Sequence, residues 1–274
     1  MTFVDRILGP QKPLESSSWN PAAALGACLG LGAMAAACAL VLALGVASLH
    51  FSASTPVTAA QCVLSFGEAS PACHTAEFWF VDLLYILLPA GLLLATHLRR
   101  SGSLANCLLV RSPEWRLWQY VVFAFVCLVA TGLSHQAVWF VTALAGGDTG
   151  SLLADFHTFR QHVVSDSLSS SLLFVMFVVL LAPVTEELVF RGFLFSALRG
   201  TWLGSVGSAV LLSGVWASLH WGYSWQSVAL LFAQGLLYAY AARRTGSIWP
   251  AIVGHAVNNL VAVITVLVYQ ASAA

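Results

Sequence analysis

A chain of 274 residues with 59% hydrophobic and only 8% charged side chains cannot dress a soluble surface, because soluble domains carry charge at about a quarter of their positions. The mean hydropathy of +0.85 agrees. A formal net charge of zero leaves no basic stripe for nucleic acid, and the 8 histidines become the main groups able to change charge near neutral pH.

Residues 1–20 are polar and mixed, with Asp5, Arg6, Lys12 and Glu15, and read as a cytoplasmic N-terminal segment. Seven apolar segments follow, over roughly 22–49, 78–98, 117–144, 168–198, 202–221, 225–242 and 248–269, each near the length of about 20 residues that crosses a bilayer. The first is too long for the apolar stretch of a secretory signal, about 7–15 residues, and reads as a retained helix. The fourth contains Pro183 and two adjacent acids, and the third can end near Leu133 and resume after His135. Six to eight spans therefore bracket the count. The expected fold is an all-α, polytopic transmembrane bundle of about seven spans, without internal repeats or a long linker.

Positive charge gives a direction. Arg6 and Lys12, then Arg99, Arg100, Arg111 and Arg116, then Arg199, then Arg243 and Arg244 all fall on one side of this arrangement, and Arg160 on the other. The loop 50–77 has no Lys or Arg. An integral membrane protein with a cytoplasmic N-terminus, in a plasma (inner) membrane, is expected. Trp79, Trp118, Trp202, Trp225 and Trp249 stand near proposed helix ends, where indoles prefer the headgroup region. Cys62 and Cys73 share the external loop, and both a bridge and two free thiols are open readings. Cys28, Cys38 and Cys127 lie in apolar runs as small packing residues. The loop from Asp148 to Asp166 shows apolar residues at intervals of three to four, predicting an amphipathic helix on the outer membrane surface with His157 and His162 solvated.

Ionisable groups inside a bilayer are expensive and mark functional candidates. The segment A-P-V-T-E-E-L-V-F-R-G, residues 182–192, carries two adjacent carboxylates, whose directions on a helix differ by about 100°. Glu187 and Arg191 stand at i,i+4 in the favourable order, predicting a buried ion pair that locks the helix. Glu186 points elsewhere and is free to exchange protons as a base. His220 closes a second apolar segment. His255 and Asn259 share one face of a third, with Asn258 on nearly the same side, so spacing does not choose between the asparagines. A carboxylate and a histidine can activate water, while a second histidine and an amide can donate to an oxyanion. Interhelical hydrogen bonding is the competing reading for His255 and the asparagines. No G-x-S-x-G elbow and no H-E-x-x-H helix occurs, although a Glu/His/His set is able in principle to bind zinc.

The ordered motifs E-E-x-x-x-R (Glu186, Glu187, Arg191), x-x-x-x-H with Trp216 in the place of Phe (His220), and H-x-x-x-N (His255, Asn259), with the flanking T-G-S-I-W-P-A-I, resemble the CPBP family of CAAX prenyl proteases and bacteriocin-processing membrane enzymes, also called Abi proteins. The likeness spans about residues 168–265. It implies a glutamate-dependent intramembrane endopeptidase that needs no metal or other cofactor. In that reading Glu186 is the general base assisted by His220, His255 and Asn259 form the oxyanion site, and Glu187 and Arg191 support. Accessory helices and loops then occupy 21–160 and the catalytic domain 161–274. The expected partners are the lipid bilayer and a membrane-associated peptide or protein substrate, prenylated or of bacterial peptide type, and no nucleic acid; the sequence leaves the oligomeric state open. A scaffold or immunity protein with the same fold, and a proton-coupled transporter, are the alternatives. One difficulty stands. A straight helix from Trp202 puts His220 about 27 Å along it, whereas His255 is only about 9 Å into the last helix. Broken or late-starting helices around a water-filled cavity are therefore expected.

Overall fold

The computed structural model describes residues 19–50, 71–98, 108–110, 115–164 and 168–273. Among them the chain forms eight helices and no strand: α1 (Pro21–His50), α2 (Pro71–Leu98), α3 (Leu117–Leu144), α4 (Ser151–Val163), α5 (168–198), α6 (Gly204–Ser218), α7 (Trp225–Thr245) and α8 (Trp249–Ala273). Each of the seven apolar segments is a helix, and the eighth helix, α4, is the amphipathic one. The third segment runs without a break through Leu133 and His135. The second begins earlier than its apolar core, at Pro71. Cys62 and the side chains of Cys73, Trp79 and Asp82 lie outside the described residues.

Stretches of four helices are long and apolar enough to cross a membrane: Pro21–Ala39, Leu117–Leu144, Ser170–Leu198 and Trp249–Gln270. Leu83–His97 and Gly204–Ser218 are shorter apolar helices. Polarity is distributed inside out. Glu187, Arg191, Ser213, His255 and Asn258 are buried, while Leu117, Val121, Phe125, Leu133 and Phe140 of α3 are exposed. Such an exterior suits lipid and not water. Trp118, Trp202, Trp225 and Trp249 are all exposed at helix ends. The fold is that of an integral membrane helical bundle.

The chain divides into two compact units, one of residues 22–101 and the other of 102–274 with the segment that ends at Pro21. In the first, α2 meets α1 closely at Gly91, where a Cβ would stand 3.3 Å from Leu31 Cδ2. The second unit holds α3 to α8. Its segment 108–110 enters the bundle as irregular backbone. Leu109 adopts a left-handed φ of 52°, its carbonyl accepts from Ile248 N at 2.9 Å, and the Val110 carbonyl accepts from Trp249 Nε1 at 3.0 Å. Gly192 makes room for this strap, since a Cβ there would lie 2.6 Å from the Leu108 carbonyl oxygen. The apolar stripe of α4 packs on protein: Phe156, Phe159 and Val163 join Phe174, Val175, Val178 and Val179 of α5 and Val263 and Val266 of α8. His157 packs against Tyr269 and His162 stacks on Phe174.

The fourth segment is one helix with two changes of pitch. Its α-helical stretches Leu168–Met176, Ala182–Glu187 and Phe195–Leu198 are separated by π-helical turns at Phe177–Leu181 and Leu188–Leu194. Pro183 explains the first. In that turn the Ala182 N–H bonds back to Phe177 O rather than to Val178 O, and Pro183, the next donor in line, has no N–H. The Val178 carbonyl therefore loses both intrahelical donors. Asn259 of α8 replaces them, its Nδ2 donating to Val178 O at 2.7 Å. A buried carbonyl left unpaired costs about 1–3 kcal/mol. Asn259→Ala should accordingly lower the midpoint of thermal unfolding in detergent, and Pro183→Ala added to it should recover part of the loss by returning an N–H. An unchanged deficit in the double variant would refute this account.

Candidate active site

The two glutamates leave α5 in different directions and meet different partners. Glu187, fully buried, receives Arg191 Nη1 on Oε1 at 3.0 Å. This is the i,i+4 pair expected from spacing. Arg191 turns its Nη2 to the Gly235 carbonyl of α7 at 3.2 Å and lies over the Trp216 ring at 4.7 Å and the Tyr238 ring at 5.7 Å. A desolvated guanidinium gains from such faces. Gly235 permits the approach, as a Cβ there would stand 2.9 Å from both Arg191 Nη2 and Ser213 Cβ.

His255 of α8 joins the glutamates. Its Nδ1 lies 3.0 Å from Glu187 Oε1 and its Nε2 lies 3.9 Å from Glu186 Oε2. A carboxylate oxygen accepts, so this contact assigns an N–H to Nδ1 and turns Nε2 toward Glu186. Tyr238 stacks on the imidazole, with centroids 5.2 Å apart at 16°. The Tyr238 hydroxyl accepts from Asn258 Nδ2 at 2.6 Å, and Asn258 Oδ1 accepts from Thr131 Oγ1 of α3 at 3.4 Å. Close packing seats this end of α8, where a Cβ on Gly254 would be 2.8 Å from Cys127 Sγ.

Glu186, also buried, is oriented by α6. Trp216 Nε1 donates to its Oε2 at 2.6 Å. His220, half-buried just beyond the end of α6, has Nδ1 3.1 Å from the Trp216 carbonyl. That carbonyl can only accept, which places the proton on Nδ1 and leaves Nε2 available. The Trp216 ring lies 5.3 Å from His220 and 5.4 Å from His255. The start of α6 at Gly204 rather than Trp202 removes only about 3 Å of the depth difference that straight helices give; what joins the two levels is the Trp216 ring, one turn short of His220 and packed against both imidazoles.

The structure thus brings together Glu186, Glu187, Arg191 and His255, with His220 linked through Trp216. Asn259 directs one of its two amide N–H groups to Val178 O, and Asn258 is the asparagine beside Tyr238 and His255. Sequence singled out Trp216 only as an aromatic in the place of Phe, yet its N–H is what it adds to the glutamate, and it did not single out Tyr238. Tyr238, in L-L-Y-A-Y-A-A-R-R, carries no signal that separates it from Tyr240. Among the described residues no group of three or more His, Cys, Asp and Glu side chains is arranged to hold a metal ion.

Residues 168–261 match the family model described as type II CAAX prenyl endopeptidase Rce1-like. No curated protein and no solved structure matches the chain. The matched stretch runs from α5 into α8 and contains Glu186, Glu187, Arg191, His220, His255 and Asn259. The match, with the buried ionisable cluster and the lipid-suited exterior, makes this C-terminal third of the chain similar to the CAAX prenyl endopeptidases of the CPBP family.

Proposed function

We propose that the chain hydrolyses a peptide bond of a membrane-associated, CAAX-type substrate with water activated by Glu186. The supporting observation is the division of labour between neighbouring carboxylates: Glu187 meets Arg191 and His255 Nδ1, while Glu186 receives the Trp216 indole N–H and faces His255 Nε2. The 3.9 Å separation is too long for a direct hydrogen bond. A water beside the gap can reach both atoms at about 2.8 Å.

In the proposed reaction Glu186 removes a proton from that water as its oxygen bonds the scissile carbonyl carbon. The carbonyl π pair moves to oxygen. Collapse of the tetrahedral adduct breaks the C–N bond, and the proton held by Glu186 passes to the leaving amine. No covalent enzyme intermediate forms. His220, with Nε2 free to accept, assists proton movement at the wetter end of the site. His255 and the second N–H of Asn259 supply the oxyanion site. With Nδ1 bound to Glu187, His255 can donate to an oxyanion from Nε2 only when the ring enters the reaction as imidazolium, and the proton taken from water stays on Glu186 until it passes to the amine. The Lys and Arg distribution supports a cytoplasmic N-terminus, which would put the Arg243 and Arg244 end of α7 and the start of α8 at the cytoplasmic face.

Glu186→Gln and Glu186→Ala should each lower cleavage of a farnesylated C-a-a-X peptide in detergent micelles by about 10²-fold or more, while a chelator leaves the wild-type rate unchanged. Loss of activity in chelator would move the chemistry to a metal. Full activity of Glu186→Gln would end the general-base assignment. Arg191→Met should act differently. It leaves a buried carboxylate without its cation, a change that costs about 3–5 kcal/mol, so its unfolding midpoint in detergent should fall far below that of Glu186→Gln.

A further inference from the structure

The loop that carries His220 is held from outside the matched family segment. It runs from the end of α6 to Ser224, the N-cap of α7, whose hydroxyl accepts from Ser227 N. Within it Tyr223 N bonds the His220 carbonyl at 3.0 Å, and the two rings lie 6.5 Å apart. Asp155, in the middle of α4, closes on this loop. Its Oδ1 and Oδ2 accept from Ser224 N at 3.1 and 3.0 Å, and Oδ2 accepts from the Ser224 hydroxyl and from Ser227 Oγ, the latter at 2.6 Å. Gln226 Nε2 adds a bond to the Asp148 carbonyl ahead of α4 at 3.0 Å. Burial and the neighbouring Asp155 carboxylate push the Tyr223 phenol up, as expected for a carboxylate set directly on the loop. A negative charge at the N-terminus of α7 is favourable in its own right. The opposite end of α4 has a separate tether, Arg160 to Gln270 Oε1 of α8.

We propose that Asp155 is a positioning residue for the hydrolysis, holding His220 at the edge of Trp216 through Ser224 and Tyr223. This rests on the role assigned to His220 above. It gives α4 a task in the reaction: the helix fixes the end of α6 where one half-buried imidazole must meet water. Misplacing a reacting group by about 1 Å can reduce turnover about 10²-fold.

The test uses the full chain in detergent micelles with a farnesylated C-a-a-X peptide. Asp155→Ala should lower kcat about ten- to a hundredfold with KM little changed, and Asp155→Asn, which keeps an acceptor oxygen, should lie between it and wild type. Arg160→Ala, which releases the same helix at its other tether, should keep the wild-type kcat. In a His220→Ala background Asp155→Ala should cost nothing further, since contacts that act through one residue are not additive. Hydrogen exchange at amides 220–224 should rise in Asp155→Ala. Equal kcat losses in Asp155→Ala and Arg160→Ala, or full additivity with His220→Ala, would overturn the proposal and reduce α4 to general support. Wild-type turnover in His220→Ala would overturn it through its premise. The exchange measurement separates that case from a failure of the clasp, because unchanged exchange in Asp155→Ala means that the aspartate does not hold the loop.

Discussion

Two carboxylates side by side in an apolar bundle are the constraint around which this domain is arranged. Removing each charge from water costs several kcal/mol unless partners replace the water, and adjacency on one helix forbids sharing a single set. The partners come from four helices: Arg191 from α5 itself, the Gly235 carbonyl behind it from α7, Trp216 from α6 and His255 from α8. Satisfying Glu186 and Glu187 therefore fixes how α5, α6, α7 and α8 are rotated and at what depth they meet. The burial of charge and the packing rest on the same few bonds.

The irregular pitch of α5 belongs to this arrangement. Pi-helical turns are frequent at functional sites, and here they flank the α-helical turn that bears both glutamates. The proline that goes with the first turn frees a carbonyl, which an asparagine of α8 then covers. A helix able to change its screw on either side of the two glutamates can aim them without tilting as a whole. The aromatic pair Trp216 and Tyr238 fills the space between the charged groups with flat faces and one well-placed N–H. This keeps a desolvated guanidinium next to hydrocarbon without leaving it unsolvated.

What could be read from sequence follows the range over which each determinant acts. The spans were legible because each is set by a local run of apolar residues, and α4 because its stripe recurs at helical intervals. The pair Glu187–Arg191 was legible because i,i+4 geometry needs no other helix. The ordering of the three motifs was enough to point to a peptide hydrolase of the CAAX type. The partners of Glu186 were not legible, since nothing in the spacing of α6 tells how Trp216 is rotated toward α5. Nor could spacing separate Asn258 from Asn259, which share a side of α8 yet turn to α7 and to α5 respectively. Straight rods gave His220 and His255 different depths because they leave out the Trp216 ring, which packs against both.

The strap at 108–110 bears on the autonomy of the part that matches the family model. The family likeness starts at 168, yet within the matched span Gly192 is moulded to the Leu108 backbone, and the Ile248 amide and Trp249 indole find their acceptors at Leu109 and Val110. A fragment cut at the first matched residue would keep every motif and still present an open groove at Gly192 and two stranded donors at the start of α8. The smallest self-sufficient piece of this protein thus begins ahead of Leu108, and the border of the family likeness is not the border of the folding unit.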